Sequence, residues 1–170
     1  MSRMAESELI SYKWTLEQAE RAKDQSSVQK LTEIGPPPYT GNDWRSKFLT
    51  ERRILGKHGG EYYGSKSGAL GIVLRNLMFS REYTMLDRIN FFRGVLQSLR
   101  ALYPELSRID LFVQVPEVKI PVYFCLGRHD YEVPSVLSAR YFEALKAPRK
   151  QLVWFERSAH LPNTEEKDKF

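Results

Sequence analysis

The stretch IPVYFCLGRHDYEVP, residues 120–134, decides the fold of this chain. Its first half is a continuous apolar run of β-branched and aromatic side chains, which is typical of a parallel strand covered on both faces. The run ends at Gly127, and a charged tip that includes Asp130 follows it. We therefore predict a buried strand that ends in a carboxylate. Cys125 is predicted to be a small buried hydrophobic residue within it.

A second strand-like run, KQLVWFERSAH at 150–160, closes on His160 thirty residues after Asp130. The segment between the two runs, 134–147, is helical in pattern, with Pro134 in its first turn. This order predicts two parallel strands joined by a right-handed crossover. The final segment, 163–170, is predicted to open another helix. Since two parallel strands alone do not make a stable sheet, we expect them to belong to a larger fold.

Residues 1–117 have a different pattern, and we predict that they form a helical domain that precedes a sheet domain at 118–170. Apolar residues recur at three- and four-residue spacing along this first part, as on amphipathic helices. Ser26 or Ser27 is the predicted N-cap of the second helix, and Asp43 that of the third. The predicted helices are 6–23, 26–34, 44–58 and 84–103. An apolar segment at 69–79 lies between the last two.

The composition excludes several classes of function. With 42% hydrophobic and 28% charged residues, the 170-residue chain has the composition of a globular protein. Its net charge of +5 is modest, because the basic residues are mixed with acidic ones. Basic residues are scattered, so we predict no nucleic-acid partner. The N-terminus lacks an apolar signal core and no segment is long enough to span a membrane, which favours a cytoplasmic protein. One cysteine and three unclustered histidines predict no disulfide and no metal site.

Asp130 and His160 are the candidate catalytic residues. Functional groups in open parallel sheets lie beyond the carboxyl ends of the strands, where both residues fall. A carboxylate there would fix the imidazole tautomer, so that the other ring nitrogen could take a proton from a nucleophile. Either residue alone is more often structural, and only their pairing at consecutive strand ends favours catalysis. His129 is interpreted as a residue that shapes the turn.

These motifs resemble the last two core strands of the α/β-hydrolase superfamily. LGRHDYEVP matches the acid element and FERSAH the histidine element, and the likeness is to bacterial members related to proline iminopeptidases. Segments in the helical part, among them EIGPPPY at 33–39, resemble the helical cap of these enzymes. The resemblance implies a partial α/β-hydrolase fold, with residues 1–117 as cap and 118–170 as the last β-α-β unit. It also places Asp130 and His160 in a catalytic triad, and hydrolysis by such a triad needs no cofactor.

The chain departs from the family pattern at the nucleophile. Serine hydrolases of this superfamily carry a Gly-x-Ser-x-Gly elbow upstream of the cap, and the nearest segment here, GSKSG at 64–68, has Lys66 at its centre. Ser65 and Ser67 are therefore poor candidates for the nucleophile. Because the covalent step needs an activated nucleophile, we expect the 170-residue chain alone to be inactive.

Two hypotheses from different classes remain open. In the first, the parent enzyme hydrolyses an ester, an amide or an N-terminal peptide bond in a small molecule or short peptide. The cap carboxylates Glu6, Glu8, Glu61 and Glu82 are then candidates for binding a substrate amine, although ordinary solvated glutamates are the simpler interpretation. In the second, the chain is a non-catalytic fragment that binds or oligomerises, with self-association through the incomplete sheet.

Overall fold

The computed structural model describes residues 3–65 and 68–170. Within them the chain forms eight helices and two strands. Five long helices come first: α1 (Arg3–Arg21), α2 (Gln25–Ile34), α3 (Trp44–Lys57), α4 (Gly68–Phe79) and α5 (Met85–Leu106). A short helix α6 (Leu111–Gln114) leads into β1 (Val122–Gly127), α7 (Ser135–Ala144), β2 (Lys150–Phe155) and the short α8 (Pro162–Glu165). The predicted helices and strands are present in the predicted order. The apolar segment at 69–79 forms helix α4, and the short helix α6 was not predicted.

The first three helices form the hydrophobic core of the helical part. α1 packs against both α2 and α3, and the buried side chains between them are Tyr12, Ala19, Leu31 and Ile54. The hydroxyl of Tyr12 donates a 3.0 Å hydrogen bond to the carbonyl of Leu31. That bond links α1 to the last turn of α2. It also satisfies the buried Tyr12 hydroxyl, which would otherwise be costly to bury.

The helix caps differ in detail from the prediction. The N-cap of α2 is Asp24, not Ser26 or Ser27, and its carboxylate accepts hydrogen bonds from the backbone and hydroxyl of Ser27. Asp43 precedes α3 as predicted, but its side chain makes no cap hydrogen bond. Because α2 begins at Gln25, Ser26 and Ser27 already lie inside the helix, and Asp24 is the flanking residue whose side chain can accept from the free N–H groups of the first turn.

The apolar side of α5 is largely uncovered in the described chain. Leu86 is 67% exposed, and Ile89, Leu96 and Leu102 are also exposed. Only Tyr103 near the C-terminal end is buried, where its ring stacks on Trp44 at 4.2 Å between centroids. The prediction of a helix over 84–103 holds, whereas its apolar stripe has no partner among the residues described.

The two strands pair in parallel, as predicted. Val122 lies opposite Lys150 and Gly127 opposite Phe155, and an isolated parallel bridge between Glu117 and Lys146 extends the pairing upstream. α7 covers one face of this sheet, with the ring of Phe142 5.4 Å from that of Phe124. The described chain therefore has helices and a parallel β-α-β unit, which is compatible with part of an α/β fold.

The other face of β1 is open, which corrects the prediction of a strand covered on both sides. Burial alternates along the strand, so that Tyr123 is 54% exposed while Phe124 is half-buried. Cys125 is likewise exposed rather than buried. Successive side chains of a strand point to opposite faces, and α7 covers only the face that carries Phe124. A run of apolar residues cannot reveal by itself that one face lacks a cover.

Candidate active site

The structure brings the two predicted site residues together beyond the carboxyl ends of β1 and β2. Nδ1 of His160 lies 3.0 Å from Oδ2 of Asp130. The Asp130 side chain is 12% exposed and the His160 side chain 38% exposed, so the acid is sheltered and the imidazole remains accessible. With Nδ1 held by the carboxylate, Nε2 is the ring nitrogen available for proton transfer.

Asp130 is held by the turn that follows β1. Its backbone N–H donates to the carbonyl of Gly127 at 3.3 Å, and its Oδ1 accepts from the backbone N–H of Val133 at 2.9 Å. Ser135, at the start of α7, donates its N–H to the carbonyl of Asp130 and its hydroxyl to that of Gly127. One carboxylate oxygen thus fixes the loop, and the other is left for His160.

His160 sits in a loop that two glutamates organise. The carboxylate of Glu165 accepts hydrogen bonds from the backbone N–H groups of Ala159, Leu161 and Tyr63. Glu166 accepts from the N–H of Arg157 and the hydroxyl of Ser158, at 2.8 Å each. Sequence reasoning missed both residues. The available signal was a pair of glutamates just inside a predicted helix start, where carboxylates often accept from free N–H groups.

Gly127 allows the histidine loop to approach the end of β1. A Cβ at this position would overlap the carbonyl of Ala159 and lie 2.7 Å from the carbonyl oxygen of Ser158. The N–H of the nearby His129 donates to that same Ser158 carbonyl at 2.9 Å. The two loops are therefore joined through backbone contacts that only glycine permits at residue 127.

The electrostatic surroundings favour the charged form of His160. Its hydrogen bond to Asp130 raises the pKa of the imidazole, against the opposing effect of burial, and the charges of Asp130, Glu132 and Glu61 raise it further. An imidazolium is thus stabilised where a general base would have to carry a proton. The same partners hold the ring in one orientation.

Residues of the helical part contact the acid loop at several points. The ring of Tyr131 stacks on Trp14 with centroids 4.2 Å apart. The hydroxyl of Ser11 donates to the Tyr131 carbonyl at 2.6 Å, and the Tyr131 N–H donates to the carbonyl of Gly60 at 3.0 Å. His160 is anchored in the same way, since its N–H donates to the carbonyl of Glu61 at 3.1 Å. Both site loops therefore depend on contacts with residues of the helical part.

A buried charged cluster lies between the helices and the acid loop. Glu8 is 2% exposed and accepts a 2.5 Å hydrogen bond from the hydroxyl of Tyr103. Glu51 is fully buried, and the hydroxyl of Tyr39 is a polar neighbour of its carboxylate. Burial raises the pKa of Glu51 to about 7, although the charge of neighbouring Arg52 opposes the shift. Burial also raises the pKa of Glu8.

The other candidates from the sequence are surface or turn residues, or lie outside the residues that the structure describes. Glu6 pairs with Arg3 and Arg140, and Glu82 is exposed. His129 stacks on Tyr63 at 4.5 Å, in keeping with a role in shaping the turn. The N–H of Ser65 donates to the Tyr62 carbonyl. The proposed loop residues Lys66 and Ser67 fall outside the described residues.

The described residues contain neither a metal-binding cluster nor a membrane-spanning helix. Across 3–65 and 68–170, no group of three or more His, Cys, Asp or Glu side chains is placed to hold a metal ion. No helix in the same ranges is both long and apolar enough to cross a membrane.

Two curated proteins of Bacillus subtilis (strain 168) are similar to part of the chain. A probable aminopeptidase, YbaC, is 38% identical over 98 residues, which is 58% of this chain and 31% of that protein. An AB hydrolase superfamily protein, YclE, is 41% identical over 64 residues, covering 38% of this chain and 22% of the relative. These similarities indicate a relationship to the α/β hydrolases.

The two matches cover only part of this chain and a small part of each relative. The matched parts span about a third or less of the length of these two relatives. No protein-family model matches the chain, and no solved structure matches it significantly. A hydrolase-type relationship is thus supported for a region of the chain, whereas the roles of Asp130 and His160 stay predictions.

Proposed function

We propose that this chain supplies the acid and the base of an α/β-fold serine hydrolase. In this proposal residues 1–117 are the helical cap, and residues 118–170 are the last β-α-β unit of the core. The observation that carries it is the 3.0 Å contact between His160 Nδ1 and Asp130 Oδ2 beyond two parallel strand ends. The similarity to a probable aminopeptidase and an AB hydrolase superfamily protein supports the same class.

In each half of the proposed reaction, Asp130 and His160 move one proton. Nε2 of His160 takes the proton of a serine hydroxyl while the serine oxygen bonds to the substrate carbonyl carbon. Asp130 stabilises the imidazolium, which then gives the proton to the alcohol or amine as the bond between it and the carbonyl carbon breaks. In the second half His160 takes a proton from water while the water oxygen bonds to the acyl carbon, and it returns the proton to the serine oxygen as the acid is released. The sequence contains no Gly-x-Ser-x-Gly segment, so the serine and the oxyanion-hole donors must come from another polypeptide segment. This reaction needs no cofactor or metal. We place the complete enzyme in the cytoplasm.

The buried charged cluster favours a substrate with a free amine, such as a short peptide. Glu8, Glu51 and Glu132 bring three carboxyl groups close to the single guanidinium of Arg52. When all three are ionised, the cluster carries excess negative charge in a poorly solvated region, which a substrate ammonium group would neutralise. Of the four glutamates proposed from sequence, Glu8 is the one that belongs to this cluster.

Hydrolysis assays test the proposal in two steps. The 170-residue chain should not hydrolyse a p-nitrophenyl ester above the rate of its His160→Gln variant. A chimaera should hydrolyse an aminoacyl p-nitroanilide if it joins this chain to the part of the Bacillus subtilis aminopeptidase that precedes the matched region. His160→Gln and Asp130→Asn should each lower its kcat by about 10³-fold or more. A folded chimaera that cleaves neither substrate would contradict the proposal.

A second candidate is a non-catalytic module that binds or self-associates. It is favoured by the uncovered apolar side of α5 and by the open face and unpaired edge of β1. Size-exclusion chromatography with light scattering separates the cases. A concentration-dependent dimer that Tyr123→Lys abolishes would support association through the sheet, and a monomer at all concentrations would contradict it.

A further inference from the structure

We propose that Arg52 is a positioning residue that orients Asp130 toward His160 by holding the peptide group between Glu132 and Val133. The proposal rests on the proposed function for its catalytic meaning. Arg52 lies in α3, 80 residues before its partner in the acid loop, so no local sequence pattern links the two residues.

The contact forms a continuous path to the imidazole. Nη1 of Arg52 donates to the carbonyl oxygen of Glu132 at 2.9 Å. The N–H of Val133 belongs to the same peptide group, and it donates to Oδ1 of Asp130 at 2.9 Å. The other carboxylate oxygen of Asp130 lies 3.0 Å from Nδ1 of His160. Arg52, one peptide plane, Asp130 and His160 therefore follow one another without a gap.

The rigidity of the peptide group makes this arrangement effective. The carbonyl and the N–H of a trans peptide lie in one plane and point in opposite directions. A guanidinium bound to the carbonyl therefore fixes the direction in which the N–H of Val133 points, and with it the position of the Asp130 carboxylate. A positive group at the carbonyl also polarises the peptide, which strengthens the bond that its N–H donates.

Arg52 is built into the structure firmly enough for this role. The residue is 8% exposed, and its guanidinium lies over the ring of Phe48, 5.0 Å from the centroid. Burial alone would favour losing its charge, but the nearby carboxylates of Glu132, Glu51 and Glu8 outweigh burial and raise its pKa. Its second contact, to Oε2 of Glu132 at 3.4 Å, comes from the side chain of the residue whose carbonyl it holds.

A purely electrostatic role would have the opposite effect on His160. Without the positive charge of Arg52, the carboxylate of Glu132 would be less neutralised and would raise the pKa of His160. If Arg52 instead positions Asp130, its loss weakens the contact to Nδ1 and the pKa of His160 falls toward its ordinary value. The sign of the change therefore distinguishes the two roles.

NMR spectroscopy of the full chain provides the test. The signal of the Nδ1 proton and the titration midpoint of His160 are measured in the native protein and in Arg52→Met, with His160→Gln to assign the signals. We expect Arg52→Met to lose the downfield Nδ1 proton, to shift the Val133 amide signal and to lower the midpoint. Arg52→Lys, which keeps the charge but not the planar fork, should restore these signals only in part.

Two further variants serve as controls. Arg53→Met removes an exposed arginine from the next position of α3 and should leave all three signals unchanged. Glu132→Gln removes the neighbouring charge but keeps the carbonyl bond, so the midpoint should fall while the downfield proton persists. A folded Arg52→Met with that proton intact overturns the proposal. If Arg52→Met does not fold, unaltered signals in Arg52→Lys overturn it. None of these measurements depends on hydrolysis, so they can fail independently of the proposed function.

Discussion

At the scale of single residues, the space around Gly127 decides how closely the acid and histidine loops approach. Gly127→Ala should lower the free energy of unfolding by about 2 kcal/mol or more, because the added methyl group meets the backbone of residues 158 and 159. Gly94→Ala is the matched control. It lies in the exposed middle of α5 with open space around it, and should stabilise by about 0.5–1 kcal/mol. Urea unfolding curves measure both, and equal effects would contradict this explanation.

Glu51 is the residue whose burial should make stability depend on pH. Its pKa rises from the ordinary 4.5 to about 7 in the folded chain. The stabilisation is therefore complete below pH 4.5 and is lost as the pH rises through 7, because the folded state binds the proton more tightly. The loss attributable to Glu51 should be about 3 kcal/mol.

Glu51→Gln tests this dependence, since it imitates the protonated carboxyl group. The variant should be more stable than the native chain at pH 8 and similar to it at pH 5, as measured by urea unfolding at both values. Glu20→Gln, at an exposed position of α1, is the matched control. If native and Glu51→Gln proteins lose equal stability between pH 5 and pH 8, Glu51 is not responsible.

At the scale of elements, the short helix α8 contributes Glu165, one of the two glutamates that hold the histidine loop. Glu165→Gln should cost about 1–3 kcal/mol, because the backbone N–H groups of Ala159 and Leu161 lose a charged acceptor. The Nδ1 proton signal of His160 should broaden at the same time. Lys167→Gln changes an exposed side chain of the same segment and should leave both unchanged. Thermal unfolding and proton NMR give the two readouts, and a sharp His160 signal in Glu165→Gln would count against this role.

At the scale of the whole molecule, the helical part and the acid loop should unfold as one cooperative unit. The stacked rings of Trp14 and Tyr131 join them, so a double-mutant cycle with Trp14→Ala and Tyr131→Ala should give a coupling energy of about 0.5–1.5 kcal/mol. Phe170, whose ring lies near Phe155, provides the control. Trp14→Ala and Phe170→Ala should be additive. A coupling near zero for the stacked pair would mean that this ring contact does not help to hold the two parts together.

Local pattern was sufficient to predict the framework of the site. The apolar run before Gly127 and the second run before Phe155 predicted two parallel strands, and their register is that of consecutive β-α-β strands. Because such strands end at the same edge, the contact between Asp130 and His160 followed from order and spacing. The exposure of Cys125 did not follow, since the periodicity of a strand does not state which of its faces is covered.

The sequence by itself therefore determined the order of the elements and the meeting of an acid with an imidazole at two strand ends. Only the tertiary structure decided how that pair is held. The support comes from Arg52, 80 residues before its partner Glu132, and from Glu165, 102 residues after Tyr63. These contacts depend on how helices pack against the sheet, and buried polar groups find whatever partner packing brings near. Local periodicity carries no record of such distant pairs.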